Sequence, residues 1–455
     1  MSATGSLSPR ERVECVLAHQ QPDRVPCDFG GCSVTGMHVS AVYGLRQALR
    51  LDPPGTRVKV IDPFQMLGEI QPDLIAALEI DTMPLQGTGT FFGFPLDRWK
   101  PWTTFDGTPV LVPGDFNTDL NPDGSIWQYP QGDRAAPPSG EMPAGGFYFD
   151  TIQRGAPVDF DHLCVEDNTE EFSLIPDAEL EYLAREAERL YRTTDQAIFG
   201  SFPGGGFGDM AWLPAPFLKR PKGIRDYKDW LMSLAQRPGF VREIFERQCA
   251  VALQNLARLY DAVGNRVSLI FLTGADYGTQ DSLFFSPRVW ADLYAPFFRR
   301  LADWIHQNTR WKIFIHSCGA VESLIPQFIE AGFDVLNPVQ CSATGMDPET
   351  LKHRYGERLV FWGGGVDTQR TLPFGTPEQV RKEVRDRINL FGQSGGYVFN
   401  PVHNVQPLTP VENVLAMFEA YRESRDYPNH RQFHKSNQQP ECGTHAPIVA
   451  GSITQ

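Results

Sequence analysis

After residue 195 the chain settles into one rhythm: a short, continuously apolar run, a polar residue or two, then a stretch patterned as an amphipathic helix. Five such strand-then-helix units follow in succession, with runs at residues 267–272, 313–315, 334–339, 359–362 and 397–400. Strands that are apolar throughout, rather than alternating, belong to parallel sheets covered by helices on their faces. Two or three further runs before residue 87 bring the count to about eight. The expectation is therefore an α/β fold, a (β/α)8 barrel. A doubly wound open sheet is the competing arrangement, and the absence of Gly-x-Gly-x-x-Gly after the first run weighs against it.

The rhythm is interrupted once. From about 87 to 174, aromatic-rich short runs alternate with Pro, Gly, Asn and Asp clusters, which predicts β-hairpins. That stretch is too long for a connecting loop and reads as an inserted β-rich subdomain. The division expected is thus residues 1–86 as the first barrel segment, 87–174 as the insertion and 175–426 as the main barrel portion. Residues 427–455, rich in Gln, Asn, Ser, Gly and Pro, read as a disordered tail.

At 455 residues, 41% hydrophobic and 21% charged, the chain can bury a large core. Its formal charge of −14 disfavours nucleic acid or an anionic membrane as a partner. No run approaches 18 apolar residues, and residues 1–10 lack the apolar core of a signal peptide. Eight cysteines are too sparse for a disulfide scaffold, so reduced thiols in the cytoplasm are expected.

Strand ends in such a barrel gather at one mouth. The polar residues expected there are Asp276, Tyr277 and Gln280; His316 and Cys318; Gln340 and Cys341; Asp367 and Gln369; and Asn400 and His403. The most pointed of these stretches is Lys312-Ile-Phe-Ile-His316-Ser317-Cys318-Gly319, where an imidazole and a thiol two residues apart leave the end of a buried strand. Zinc favours that pair of donors. The spacing from there to Cys341 and His403 is too long for a zinc finger and suits a site assembled from successive strands. Each residue also has a plainer use: Cys341 as packing, His403 as a hydrogen-bond donor, Asp276 as a helix cap. The glycines Gly204 to Gly206 fit either an anion cradle or a turn needing positive φ.

His316-Ser-Cys318-Gly, Asp334-Val-Leu-Asn-Pro-Val-Gln340, Phe361-Trp-Gly-Gly-Gly-Val-Asp367 and Asn400-Pro-Val-His403 together resemble the uroporphyrinogen decarboxylase superfamily. So do the opening Pro9-Arg-Glu-Arg-Val13 and Asp23-Arg-Val-Pro26. The resemblance implies a (β/α)8 barrel and one of two chemistries. One is metal-free decarboxylation of porphyrinogens. The other is zinc-dependent methyl transfer involving corrinoid proteins or small thiols. The decarboxylases carry an Arg-rich run after the first strand, whereas this chain has Cys27-Asp28-Phe29-Gly30-Gly31-Cys32-Ser33 and no arginine until Arg46. His316 and Cys318 reproduce the His-x-Cys of the methyltransferases. Those enzymes usually place another Cys at the last strand, where this chain has His403, so His403, Cys341 or Gln340 is left as the further ligand. The resemblance thus implies a methyltransferase with Zn2+ on His316, Cys318 and His403 or Cys341. Asp276 and Tyr277 would be catalytic, and Gln280, Gln340, Asp367, Gln369 and Asn400 would bind substrate. It further implies a small methylated donor, a corrinoid protein or thiol as acceptor, and room for a homodimer. A carboxy-lyase and a non-catalytic corrinoid- or tetrapyrrole-binding barrel are the alternatives.

Overall fold

The structure is a computed structural model that describes residues 6–155, 157–202 and 204–427. Seven parallel strands pair in sequence order: β1 (Thr82–Leu85), β2 (Ala197–Ser201), β3 (Leu269–Thr273), β4 (Lys312–His316), β5 (Val335–Asn337), β6 (Val360–Trp362) and β7 (Tyr397–Val398). The extended segment 25–28 closes the ring. Its Cys27 carbonyl accepts the Asp81 N–H at 2.8 Å on one side, and on the other Asp28 and Phe399 exchange backbone bonds of 3.0 and 2.8 Å, the latter to Pro26. The expected eight-stranded barrel is therefore present, with both edges paired away.

Helices that follow the strands cover its outside, among them Pro238–Val263 after β2, Pro377–Phe391 after β6 and Val411–Ser424 after β7. Some helix starts are capped by side chains. Ser8 caps the first helix, Pro9–Leu17, in a reciprocal capping box with Glu11, and Thr376 does the same with Gln379 for Pro377–Phe391. Inside the ring Phe199, Phe314 and Trp362 meet edge to face with ring centroids 4.9–5.7 Å apart. Val13, Val16 and Leu17 of the first helix join this interior cluster and plug the end from which the strands start. The barrel is thus filled rather than hollow, and only its opposite mouth is left for chemistry.

The β-rich region forms two four-stranded sheets. One joins Lys100–Thr103 and Pro109–Val112 to Val58–Asp62 and Leu67–Gly68 from the segment before β1, and the other runs from Thr118–Leu120 to Asp150–Thr151. It is tied to the mouth side of the barrel. His38, which caps the helix Val39–Ala48, shares a 2.9 Å bond with the Phe147 carbonyl. Gln131 reaches the Phe217 carbonyl, and Thr151 meets the Tyr227 hydroxyl at 2.7 Å. The predicted tail lies outside the described residues, except Tyr427. Among the described residues, no helix is long and apolar enough to cross a membrane.

Candidate metal centre

At the end of β4 the chain turns sharply, and every backbone N–H of the turn is held. Ser317 donates to the Asn337 carbonyl at 2.8 Å, Cys318 to Asp276 Oδ1 at 2.7 Å, and Gly319 to Gln340 Oε1 at 2.7 Å. Gly319 sits at φ +92°, and a Cβ there would lie 2.4 Å from the Thr279 carbonyl oxygen. No other residue fits that approach. The turn directs His316 Nε2 and Cys318 Sγ to within 3.3 Å of each other. Two donors of one tetrahedral zinc, at ordinary Zn–N and Zn–S bond lengths, stand about 3.6 Å apart. The pair already has nearly that spacing.

The proton on His316 is fixed by its neighbour. Asn337 donates its amide N–H to the Trp362 carbonyl at 2.8 Å, so its Oδ1, 2.6 Å from His316 Nδ1, must accept. Nδ1 therefore carries the hydrogen, and the Nε2 lone pair is free for a metal. His316 and Asn337 are paired positions on adjacent strands, which puts both side chains on one face. Trp362 continues the chain of bonds, giving its indole N–H to the buried Asp28 carboxylate at 2.8 Å. Burial holds the His316 pKa down to about 4, so the ring is neutral, the form that binds metal.

His403, on the loop after β7, completes a group whose donor atoms all lie within 4.8 Å of one another. Its tautomer is the opposite one. Asn404 donates its backbone N–H to His403 Nδ1 at 2.8 Å, so in the neutral ring the proton sits on Nε2. Serving as a third ligand requires His403 to give up that bond; left as it is, it offers an N–H to whatever binds beside Cys318. Burial, and then the neighbouring His316, lower its pKa to about 3. In the metal-free protein burial and the Asp276 carboxylate push the Cys318 thiol well above its ordinary value. A bound divalent ion reverses that balance and makes the sulfur a thiolate.

The other expected residues divide. Asp276 is at the site, holding the Cys318 N–H, and burial raises its own pKa. Gln340 and Gln280 are nearby but committed: Gln340 takes the Gly319 N–H and gives its amide to Gln280 Oε1 at 2.9 Å, while Gln280 reaches the Ser342 carbonyl. They clamp the ligand turn. Asn400 is fully buried and donates to the Asp28 and Thr35 carbonyls, fixing the first strand's loop. Tyr277 points the other way from Asp276, into the helix layer among Phe285, Trp290, Tyr294 and Phe328, and is 1% exposed. Cys341 also faces away from the group. Its thiol donates to the Val339 carbonyl, and burial raises its pKa to about 11. Asp367 caps a turn by accepting the Gln369 and Arg370 N–H groups, and Gln369 is exposed.

Two residues that sequence reasoning passed over belong to the site. Asn337 was visible as the strand-end residue one strand over from His316. Asp209 follows the glycine run after β2, in a loop with no periodicity to mark it.

Residues 141–424, more than half of the chain, match the model of the uroporphyrinogen decarboxylase (URO-D) family. The chain belongs to that family. Among curated relatives, the uroporphyrinogen decarboxylase of Methylococcus capsulatus is 28% identical over 250 residues, covering 54% of this chain and 66% of that protein. The enzyme of the same name from Alkalilimnicola ehrlichii is 25% identical over 283 residues, 61% of this chain and 69% of that one. The chain thus spans about two thirds of these relatives' length. Among solved structures, a methyltransferase from Methanosarcina mazei superposes with a TM-score of 0.52 over 92% of this chain and 99% of its own, at 14% identity. That likeness is one of fold.

Proposed function

We propose that this family member is a zinc-dependent methyltransferase, working among reduced cytoplasmic thiols. It would move a methyl group between a small methylated donor and either a thiol or a corrinoid carried by a partner protein. The observation that carries this reading is the His316–Cys318 pair, preset in tautomer and spacing for a metal by Asn337, Asp276 and Gln340. Zinc bound by His316 and Cys318, with His403 as a third ligand once it releases the Asn404 N–H, would supply the Lewis acidity that keeps a bound thiol deprotonated near neutral pH. The chain's own residues hold and orient. Asn337 keeps the His316 lone pair turned inward, Asp276 and Gln340 fix the Cys318 turn, and His403 shares the space beside the sulfur.

The names of the curated relatives favour decarboxylation as a second reading. The charges at the mouth count against it. Among the described residues no Lys or Arg is hydrogen-bonded or ion-paired to Asp276, His316, Cys318 or His403. The chain also lacks the Arg-rich run after the first strand that would suit a polycarboxylate. The two readings part at Cys318→Ala. Methyl transfer to a thiol or to cob(I)alamin, followed by methylated product, is expected to vanish with the zinc. Decarboxylation that survives the substitution would overturn the proposal.

A further inference from the structure

Arg154 lies just past Asp150–Thr151, the last strand of the β-rich insertion, and most of its guanidinium hydrogens are unused. Nη2 donates to the Ala215 carbonyl at 2.8 Å. Nε and Nη1 are buried and have no hydrogen-bond partner among the described residues. A guanidinium is planar and offers two edges of two hydrogens each, one from Nε with Nη2 and one from Nη1 with Nη2. Ala215 takes one of the Nη2 hydrogens, so a complete edge is left free whichever it takes. Its neighbour Arg225 is treated differently. Both oxygens of Glu171 hold that group at 2.8 and 3.0 Å, and Glu170 adds a contact at 3.3 Å. Burial, and then the charge of Arg225, lower the Arg154 pKa to about 10, which leaves it cationic at neutral pH. A buried cation without a counter-charge is costly.

The free edge stands beside an exposed aromatic. Ala215 closes a turn by giving its N–H to the Trp212 carbonyl at 2.9 Å, so one turn joins Arg154 to Trp212. Trp212 is 45% exposed; Phe91 packs edge-on against it at 4.5 Å and stacks on Phe64 at 4.1 Å. Phe64 precedes Gln65, whose Oε1 accepts the Asn404 amide at 2.8 Å, and Asn404 follows His403. An aromatic row thus runs from the His403 loop to Arg154. We propose that the free edge of Arg154 is the subsite for one carboxylate on the ligand entering the mouth, and that the body of this ligand is a planar ring lying on Trp212. A lone fork suits a monoacid, whereas a polycarboxylate needs several. The insertion then selects what the barrel takes, a role separate from the metal centre. The inference concerns binding and does not depend on methyl transfer.

The test is calorimetric titration of the purified protein at neutral pH with 4-methoxybenzoate and 4-methoxybenzamide, which match in shape and differ in charge. Cyclohexanecarboxylate is titrated alongside, since it keeps the charge and lacks the flat ring. The benzoate is expected to bind at least about tenfold tighter than the amide. It should also bind at least about threefold tighter than the cyclohexane acid. In Arg154→Gln the preference for acid over amide should fall to within about threefold, with binding of the amide unchanged. In Trp212→Ala the preference for the flat ring should vanish while that for charge remains. Equal binding of benzoate and amide by the wild type, or binding of neither, overturns the inference without recourse to any variant. A charge preference that persists in Arg154→Gln overturns it too, and equal binding of the two acids by the wild type removes the ring. The methyltransferase reading fails separately: a protein that shows both preferences and transfers methyl from no donor refutes that reading and leaves the carboxylate subsite standing.

Discussion

The two ends of the barrel treat buried carboxylates in opposite ways. Where the strands start, Asp81 is fully buried between Arg12 at 2.6 Å and Arg24 at 2.8 Å, and Arg12 also binds Asp23 at 2.7 Å. Asp81 further accepts the Cys27 N–H, so one carboxylate ties the first helix to the segment that closes the ring. At the mouth, Asp209 and Asp276 are buried with no ion pair to a Lys or Arg among the described residues. The same residue type is a fastener at one end and a source of uncompensated charge at the other. At the first end buried charge holds the fold together, and at the second it is left unpaired.

That contrast can be broken by experiment. Asp81→Asn leaves the buried Arg24 guanidinium without a carboxylate, while Arg12 keeps Asp23, and should cost about 3–5 kcal/mol in denaturant unfolding. Asp209→Asn should do the reverse. The Asp209 pKa of about 7 is above its unfolded value, so the folded protein holds that proton more tightly. Its stabilising effect is complete below the ordinary carboxylate range and is lost as pH rises through 7. In metal-free protein, unfolding at pH 5 and pH 8 should therefore show a loss of about 2–4 kcal/mol that Asp209→Asn abolishes. A variant that is less stable than wild type at pH 8 would erase the distinction between the ends.

Smaller effects sharpen the account of the mouth. Asn337→Ala frees the His316 tautomer and should weaken zinc binding about 10–100-fold in a competition titration against a chelating dye. Gln340→Ala leaves the Gly319 N–H without its acceptor and should lower stability by about 1–2 kcal/mol, with a lesser loss of zinc. Cys341→Ala should change neither zinc content nor turnover, since its thiol is turned to the Val339 carbonyl. Zinc lost in that variant would reopen Cys341 as a ligand.

The barrel was legible because most strands are local apolar runs and the helices between them are amphipathic, some with side-chain caps such as Ser8 and Thr376. The eighth position was less so. Residues 25–28 pair through only a few bonds and gain their place from neighbours far along the chain. At the site, His316, Cys318, His403 and Asp276 could be named from residue type and strand end. Direction could not. Asp276 and Tyr277 are consecutive, and in an extended chain consecutive side chains face opposite ways, so one reaches Cys318 and the other enters the helix layer. Cys341 and the two glutamines met the same obstacle, since whether an amide binds substrate or clamps a turn depends on contacts across three loops. Asp209 had no signal beyond the glycines that precede it.

The central claim is that His316 and Cys318 are metal ligands, and the most direct test is the metal content of protein purified without chelator. The account predicts close to one zinc per chain in the wild type, and in Cys318→Ala an affinity reduced beyond the roughly hundredfold expected for a residue behind a ligand. Wild-type protein with less than about a few tenths of a zinc per chain, after growth with zinc present, would contradict it.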